Sequence, residues 1–247
     1  MFKPCIVVPV YDHEHAVGTV VAALLRHGLP CILVDDGSAA PCAQALDALA
    51  LAAPQQITLL RHAVNRGKGA AVLSGIAQAA ALGYSHALQI DADGQHDSAD
   101  LPRFLASAQA HPAAVIAGRP IYDASVPAAR LYGRYATHIW VWINTLSLQI
   151  KDSMCGFRVY PVAPVIALAR RGALGSRMNF DTDILVRLYW DGLEVVNLPT
   201  RVGYPADGVS HFRLWRDNLL ITRMHTQLFF GMLWRVPRLL ARNWRRR

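Results

Sequence analysis

Residues 87–97 read Ala87-Leu88-Gln89-Ile90-Asp91-Ala92-Asp93-Gly94-Gln95-His96-Asp97. The short apolar run at 87–90 predicts a buried strand. It stops at two carboxylates one residue apart, followed by a glycine and an amide. An α/β sheet binds its ligands in the crevice beyond the carboxyl ends of its strands. A strand that ends in acids therefore puts oxygen ligands in that crevice. Asp91, Asp93 and the Gln95 amide oxygen suit a hard cation, Mg²⁺ or Mn²⁺, which keeps positions open for phosphate oxygens. A solvated Asp-Gly turn is the competing reading of the stretch taken alone.

Working outward, the preceding segments repeat a strand–loop–helix plan. Residues 5–10 form a β-branched run suited to a central parallel strand that Pro9 ends, with Tyr11-Asp12-His13-Glu14 leading into a helix over about 16–27. A second strand over 31–34 runs into Asp35-Asp36-Gly37-Ser38. An acid at that place commonly bonds a ribose or a base, and Ser38 can cap the next helix, about 42–53. A third strand over 56–60 precedes Asn65-Arg66-Gly67-Lys68-Gly69, which opens an Ala-rich helix to about residue 81. This is not a P-loop, because the earlier glycine is missing and a second glycine follows the lysine. Backbone N–H groups at a helix start beside Arg66 and Lys68 still favour an anion.

After the acidic strand come a helix to about 110 and a strand over 115–117. Strand–helix alternation to this point predicts a mostly parallel sheet flanked by helices. Residues 129–150 carry a helix with an aromatic stretch, Ile139-Trp140-Val141-Trp142-Ile143, that suits a core or a lipid contact equally. Asp152-Ser153-Met154-Cys155-Gly156-Phe157-Arg158 follows, then Asn179-Phe180-Asp181-Thr182-Asp183 at the start of a helix over about 181–190, and a strand over 193–198. Residues 204–213 have loop composition.

These segments, in this order and spacing over about residues 4–212, resemble the inverting glycosyltransferases of family 2, most nearly the polyprenyl-phosphate sugar transferases of the dolichyl-phosphate mannosyltransferase type. The resemblance implies a GT-A fold and a nucleotide-sugar donor. It implies that Pro9, Tyr11, Glu14, Asp35, Asp36, Lys68 and Asp91 bind the nucleotide, and that Asp91, Asp93 and Gln95 hold the metal. Asp152, Gly156, Phe157 and Arg158 are implied on the acceptor side, and Asp183, then Asp181, as the base where the acceptor is a hydroxyl. His211 and Arg213, on a loop able to close over the donor, are expected to add hydrogen bonds to the diphosphate.

The charge divides the chain. Of 25 Lys and Arg and 17 acids, residues 213–247 hold nine Arg and one acid, Asp217, so residues 1–212 are neutral. We therefore expect a transferase domain at 1–212 and a basic amphipathic helical tail at 213–247. In that tail Arg216, Arg223, Arg238, Arg242 and Arg245 fall on one arc, with Phe229, Leu233, Val236, Leu239 and Leu240 opposite. Such a helix suits a membrane interface. No recognised nucleic-acid module accompanies the basic tail. The four cysteines lack metal or disulfide spacing, which predicts buried thiols. No run of 18 apolar residues is present, and the first residues do not read as a signal peptide. The expectation is an enzyme peripheral on the cytoplasmic face of a membrane, moving a sugar to a polyprenyl phosphate. The alternatives are transfer to a lipid hydroxyl and a non-catalytic nucleotide-sugar-binding or scaffold protein. A sugar-phosphate nucleotidyltransferase is disfavoured, because no Gly-rich, Arg-bearing loop follows the first strand.

Overall fold

The structure is a computed structural model and describes residues 1–121, 128–172, 174–203 and 214–245. Seven strands form one sheet in the order β3-β2-β1-β4-β6-β5-β7. They are β1 (Pro4–Val10), β2 (Cys31–Asp35), β3 (Ile57–Arg61), β4 (His86–Gln89), β5 (Val115–Ile121), β6 (Arg158–Pro161) and β7 (Val195–Arg201). All pairings are parallel except those of β6, which runs antiparallel to β4 and β5. Helices α1 (Glu14–Leu25), α2 (Ala40–Ala52), α3 (Lys68–Ala81), α4 (Leu101–Ala110) and α5 (Ala128–Thr145) alternate with the first strands. Later come α6 (Val162–Arg171), α7 (Phe180–Trp190), α8 (Leu214–Leu233) and α9 (Val236–Arg245).

Strand β1 is buried on both faces (Cys5, Ile6, Val7 and Val8 at 0% exposure), as a central parallel strand must be. It does not end at Pro9. The proline nitrogen stands on the β4 side, and pairing with β4 stops at Val7 opposite Gln89, so no ladder donor is lost. The strand then runs on against β2 to Val10 opposite Asp35.

The mostly parallel sheet is as expected; strand β6, its antiparallel member, and helix α6 are the elements the sequence reading left out. Returning antiparallel beside β4, with Gln89 opposite Arg158, β6 delivers the preceding loop to the same edge at which β4 ends. Residues 152–157 therefore arrive beside Asp91 by register alone. The four cysteines are buried and unpaired. Burial pushes the Cys5, Cys31 and Cys155 thiols up to about 12, so they remain neutral core groups.

The C-terminal segment is two helices rather than one continuous arc. The break falls at Trp234-Arg235, and Pro237 sits in the first turn of α9, where a missing N–H costs nothing. Met224, Leu228, Met232 and Leu239 join the core cluster that contains Leu188, Tyr189 and Trp190 of α7. Arg242, expected on a solvent arc, lies over the Tyr189 ring at 3.8 Å and donates to the Tyr189 and Leu193 carbonyls. Arg235 lies over Trp190 at 4.6 Å. Among the described residues no helix is long and apolar enough to cross a membrane.

Candidate active site

Because β1, β2 and β4 are parallel, their carboxyl ends place Tyr11, Asp35-Asp36 and Asp91-Asp93 along one edge. Two helices start at the same edge, α3 at Lys68 and α7 at Phe180. Lys68 Nζ stands between two carboxylates, 2.8 Å from Asp91 Oδ2 and 2.9 Å from Asp181 Oδ2. His96 Nε2 lies 3.7 Å from the same Asp91 oxygen. Burial alone would push Asp91 up, yet Lys68 and His96 hold its carboxyl well below the usual range. Asp93 moves the other way, raised by burial and by the Asp91 charge. Its Oδ1 accepts the Gln95 N–H at 3.0 Å, which curls the Gly94-Gln95 turn back on itself.

Among the described residues no cage of three or more His, Cys, Asp or Glu ligands is assembled. The residues nevertheless fit a cation. Asp91 Oδ1 is buried without a hydrogen-bond partner, an arrangement that is costly for an ionised carboxylate unless a positive group reaches it. Asp93 and the Gln95 side chain, both partly exposed on the same turn, supply further oxygens.

The loop at 152–157 closes the site from the other side. Gly156 lies against Asp91 so closely that a Cβ there would overlap the carboxylate. Asp152 shapes that loop by accepting the Met154 and Cys155 N–H groups at 2.9 and 2.8 Å. Arg134 of α5 grips Asp152 with two bonds, 2.5 and 2.7 Å, and His138 Nε2 lies 3.5 Å away. Burial would raise the Asp152 carboxyl, but His138 and Arg134 hold it well below the usual range. Phe157 and Arg158 are fully buried. Phe157 stacks on Phe104 at 4.2 Å, and Arg158 braces the Ser153 and Asp181 carbonyls at 2.6 and 2.5 Å. Of the four residues expected on the acceptor side, Gly156 abuts the Asp91 carboxylate and Arg158 reaches the Asp181 backbone.

The two acids of α7 separate. Asp181 faces Lys68 and accepts from Gln89 Nε2 at 3.2 Å, which puts it beside Asp91. Asp183 is engaged at both oxygens, by the Gly175 N–H at 2.8 Å and by Arg187 Nε at 2.5 Å. Of the residues expected to bind the nucleotide, Asp35 accepts from the Ser38 N–H and Arg61, and Asp36 from the Arg66 and Gly67 N–H groups. His62 Nδ1 lies 2.7 Å from the same Asp36. Asp36 thus fixes the loop that carries Lys68, while Asp35 ties Ser38 to Arg61. Ser38 does not cap α2; its hydroxyl accepts the Asp12 N–H at 3.1 Å, while Asp12 Oδ1 takes the Ala39 N–H at 2.7 Å. Asp12, at φ +51°, thereby ties the first loop to the second. Glu14 opens α1 with its side chain partly exposed, and its nearest ion-pair partner is His15 at 3.8 Å.

His211 and Arg213 lie outside the described residues. Gly203, the last described residue before them, donates its N–H to the Gln95 carbonyl at 3.0 Å. Sequence reasoning missed Gln89, His96, Arg134, His138 and Gly175. Three of them left a trace: Gln89 interrupts an apolar strand, and Arg134 and His138 stand four apart on one helix.

Residues 5–176 match the Glycosyl transferase family 2 profile. Similar proteins include the polyprenol monophosphomannose synthase of Mycolicibacterium smegmatis, 27% identical over 84% of this chain and 80% of that protein. The undecaprenyl-phosphate mannosyltransferase of Micrococcus luteus is 24% identical over 78% of this chain and 80% of its own length. Among solved structures, glucosyl-3-phosphoglycerate synthase from Mycobacterium tuberculosis, crystallised with Mn²⁺ and UDP, superposes with a TM-score of 0.64. That likeness holds at 15% identity over 98% of this chain and 80% of the other, and it shows the shared GT-A fold. With an α/β sheet of that fold, an acidic turn at the end of β4 and a family match over most of its length, the chain belongs to glycosyl transferase family 2 and is a glycosyltransferase.

Proposed function

We propose that this enzyme moves a sugar from a nucleotide-sugar donor to a polyprenyl phosphate at the cytoplasmic face of a membrane, with inversion at the anomeric carbon and with Mg²⁺ or Mn²⁺. The observation that carries the reading is the pairing of Asp91, with one buried oxygen lacking a partner, to Lys68 and to the glycine of the 152–157 loop. The two bacterial relatives, by their names, act on polyprenyl phosphates, and the solved relative was crystallised with Mn²⁺.

In this reading Tyr11, Glu14, Asp35 and Asp36 hold the nucleoside. Asp91, Asp93 and Gln95 would hold the ion, which when bound supplies Lewis-acid stabilisation of the departing diphosphate. Lys68, already at that place, donates to the same oxygens, and His211 and Arg213 add to it. The bond from the anomeric carbon to the diphosphate breaks with its electron pair on the diphosphate. A phosphate oxygen of the acceptor forms the new bond from the opposite face. That oxygen is already anionic, so no general base is needed, and the engagement of both Asp183 oxygens agrees with this. The carboxylate left facing the centre is Asp181. The basic segment 213–247 is proposed to contact the membrane.

The test is thermal shift with UDP-, GDP- and dTDP-sugars, with and without Mn²⁺, followed by transfer to a short-chain polyprenyl phosphate. One donor should raise Tm in a metal-dependent way, because a ligand that binds only the native state stabilises it. Full turnover in EDTA sinks the metal assignment. A product retained on a lipid hydroxyl instead of the phosphate sinks the acceptor.

A further inference from the structure

We infer that Arg134 and His138 are positioning residues for the donor side of the reaction: through Asp152 they fix how closely Gly156 approaches the Asp91 carboxylate. The inference rests on the proposed donor-side role of Asp91, and it takes Asp152 out of the groups expected to touch the acceptor.

An ionised carboxylate offers about four acceptor sites. At Asp152, N–H groups of the protein take them all. Oδ1 accepts from Arg134 Nη2 and from the Met154 and Cys155 N–H groups, and Oδ2 accepts from Arg134 Nε. The residue is 3% exposed, so neither oxygen is left for a substrate. His138 adds a further contact, Nε2 to Oδ2 at 3.5 Å. Its other nitrogen, Nδ1, is buried without a partner, a cost that an apolar residue of similar shape would avoid. What the imidazole gains in return is its place beside Asp152. Arg134 and His138 stand on one face of α5 and converge on this single carboxylate.

Other contacts anchor the segment on either side. Trp142 Nε1 donates to the Ile150 carbonyl at 2.9 Å, and the Gly118 N–H to the Phe157 carbonyl at 2.9 Å. Ser153 meets Thr182 of α7, hydroxyl to hydroxyl, at 3.1 Å. Asp152 sets what lies between, because its two backbone bonds turn the chain at Met154-Cys155, immediately before Gly156. A Cβ on Gly156 would overlap both oxygens of Asp91, so the glycine is a wall against that carboxylate. Lys68 holds Oδ2 from another direction, at 2.8 Å. Oδ1, the oxygen without a hydrogen-bond partner, is kept dry and in one orientation. A carboxylate set in place beforehand meets a positive group without reorganising. Loosening Arg134 or His138 lets the 154–156 turn lift, and Asp91 gains both rotation and water. The loss therefore falls on the donor, although the clamp itself sits on the far side of the loop.

The experiment compares the full wild-type chain with Arg134→Gln, Arg134→Lys and His138→Phe. N-ethylmaleimide labelling of the folded proteins, mapped by mass spectrometry, reads the loop without any ligand. All four thiols are buried, so wild type should label slowly at each. Arg134→Gln and His138→Phe should speed labelling of Cys155 by about tenfold or more and leave Cys5, Cys31 and Cys42 protected, because only the turn opens. The thermal shift produced by UDP, GDP or dTDP with Mn²⁺ should shrink in the same two variants. With a short-chain polyprenyl phosphate, kcat/KM for the nucleotide sugar should fall by about 10- to 100-fold, the usual scale for a group that orients a ligand from behind. KM for the acceptor should not change. Arg134→Lys keeps the charge without the two-pronged grip and should fall between. An unchanged Cys155 rate overturns the clamp. A raised acceptor KM beside a wild-type nucleotide shift overturns the donor-side role and returns Asp152 to the acceptor. An Arg134→Gln protein that exposes all four thiols together has unfolded; His138→Phe, which leaves the Arg134–Asp152 pair in place, then decides by the same criteria. A wild-type chain with no Mn²⁺-dependent nucleotide shift removes the donor reading of Asp91, and this role with it. A wild-type shift that both variants keep overturns the role alone.

Discussion

At the scale of single residues, the site depends on contacts too close for substitution. Gly156 needs no unusual φ; it is glycine because the Asp91 carboxylate occupies the space of a Cβ. Gly156→Ala should displace Asp91, or the loop, by a few tenths of an ångström or more. We expect transfer to fall by about 10²-fold, the scale of a small misplacement in a catalytic centre, while circular dichroism is unchanged. An alanine enzyme with wild-type kcat/KM would show that the loop's approach to Asp91 is idle. Asp183 allows a sharper separation. Its partners are the Gly175 N–H and Arg187, so Asp183→Asn should weaken the fold by about 1–3 kcal/mol. Its kcat at saturating acceptor should stay within a few-fold. A loss of about 10²-fold in kcat without a loss of Tm would make Asp183 a general base and the acceptor a hydroxyl. The acids Asp91 and Asp93 were legible because a strand cannot continue through them. The bridge from Lys68 to Asp181 was not, because it joins residues more than a hundred positions apart that only the start of two helices brings together.

At the scale of elements, the parallel strands and their helices were legible from alternating composition, and strand β6 was not. Strand β6 is four residues long, and its first residue is a fully buried arginine whose charge hides its burial from any hydropathy pattern. Only the ring of carbonyl and hydroxyl partners at Ser153, Asp181 and Tyr160 makes Arg158 tolerable there. The seam between α5 and α8 carries a second buried polar group. Asn144 Nδ2 stands 3.4 Å from His225 Nδ1, and His225 Nε2 is buried without a partner. Burial pushes the His225 imidazole down to about 4 from its ordinary 6.5. The unfolded chain therefore takes up this proton near pH 6.5 and the folded chain only near pH 4. Its share of stability is complete above pH 6.5, falls as pH drops through that window, and is gone below about 4. The full effect is on the order of 2–3 kcal/mol. Melting of wild type and His225→Phe at several pH values should show a steeper acid loss for the wild type between pH 6.5 and 4. Parallel curves would remove His225 as the source.

At the scale of the whole molecule, charge alone marks residue 213 as a boundary, whereas packing runs across it. Charge patterning sees nine arginines after that point, but it cannot see that two of them lie over aromatic rings of α7. Met224, Leu228, Met232 and Leu239 share the core with α7, the helix whose first turn carries Asp181. Removing residues 214–247 would strip cover from Tyr189 and Trp190 as well as those four side chains. At about 1.5–3 kcal/mol for each fully buried side chain, the loss is comparable with the whole stability of an ordinary domain. The truncated chain should therefore aggregate or melt far below the full chain, and its failure to float with vesicles would say nothing about lipid. The informative pair is Leu228→Ala, which touches the core, and Phe230→Glu, which touches the exposed side of α8. The first should lower Tm, costing about 2–5 kcal/mol, and leave flotation intact; the second should do the reverse. A truncated chain that melts like the full one, and keeps its nucleotide shift, would establish the tail as a separate unit.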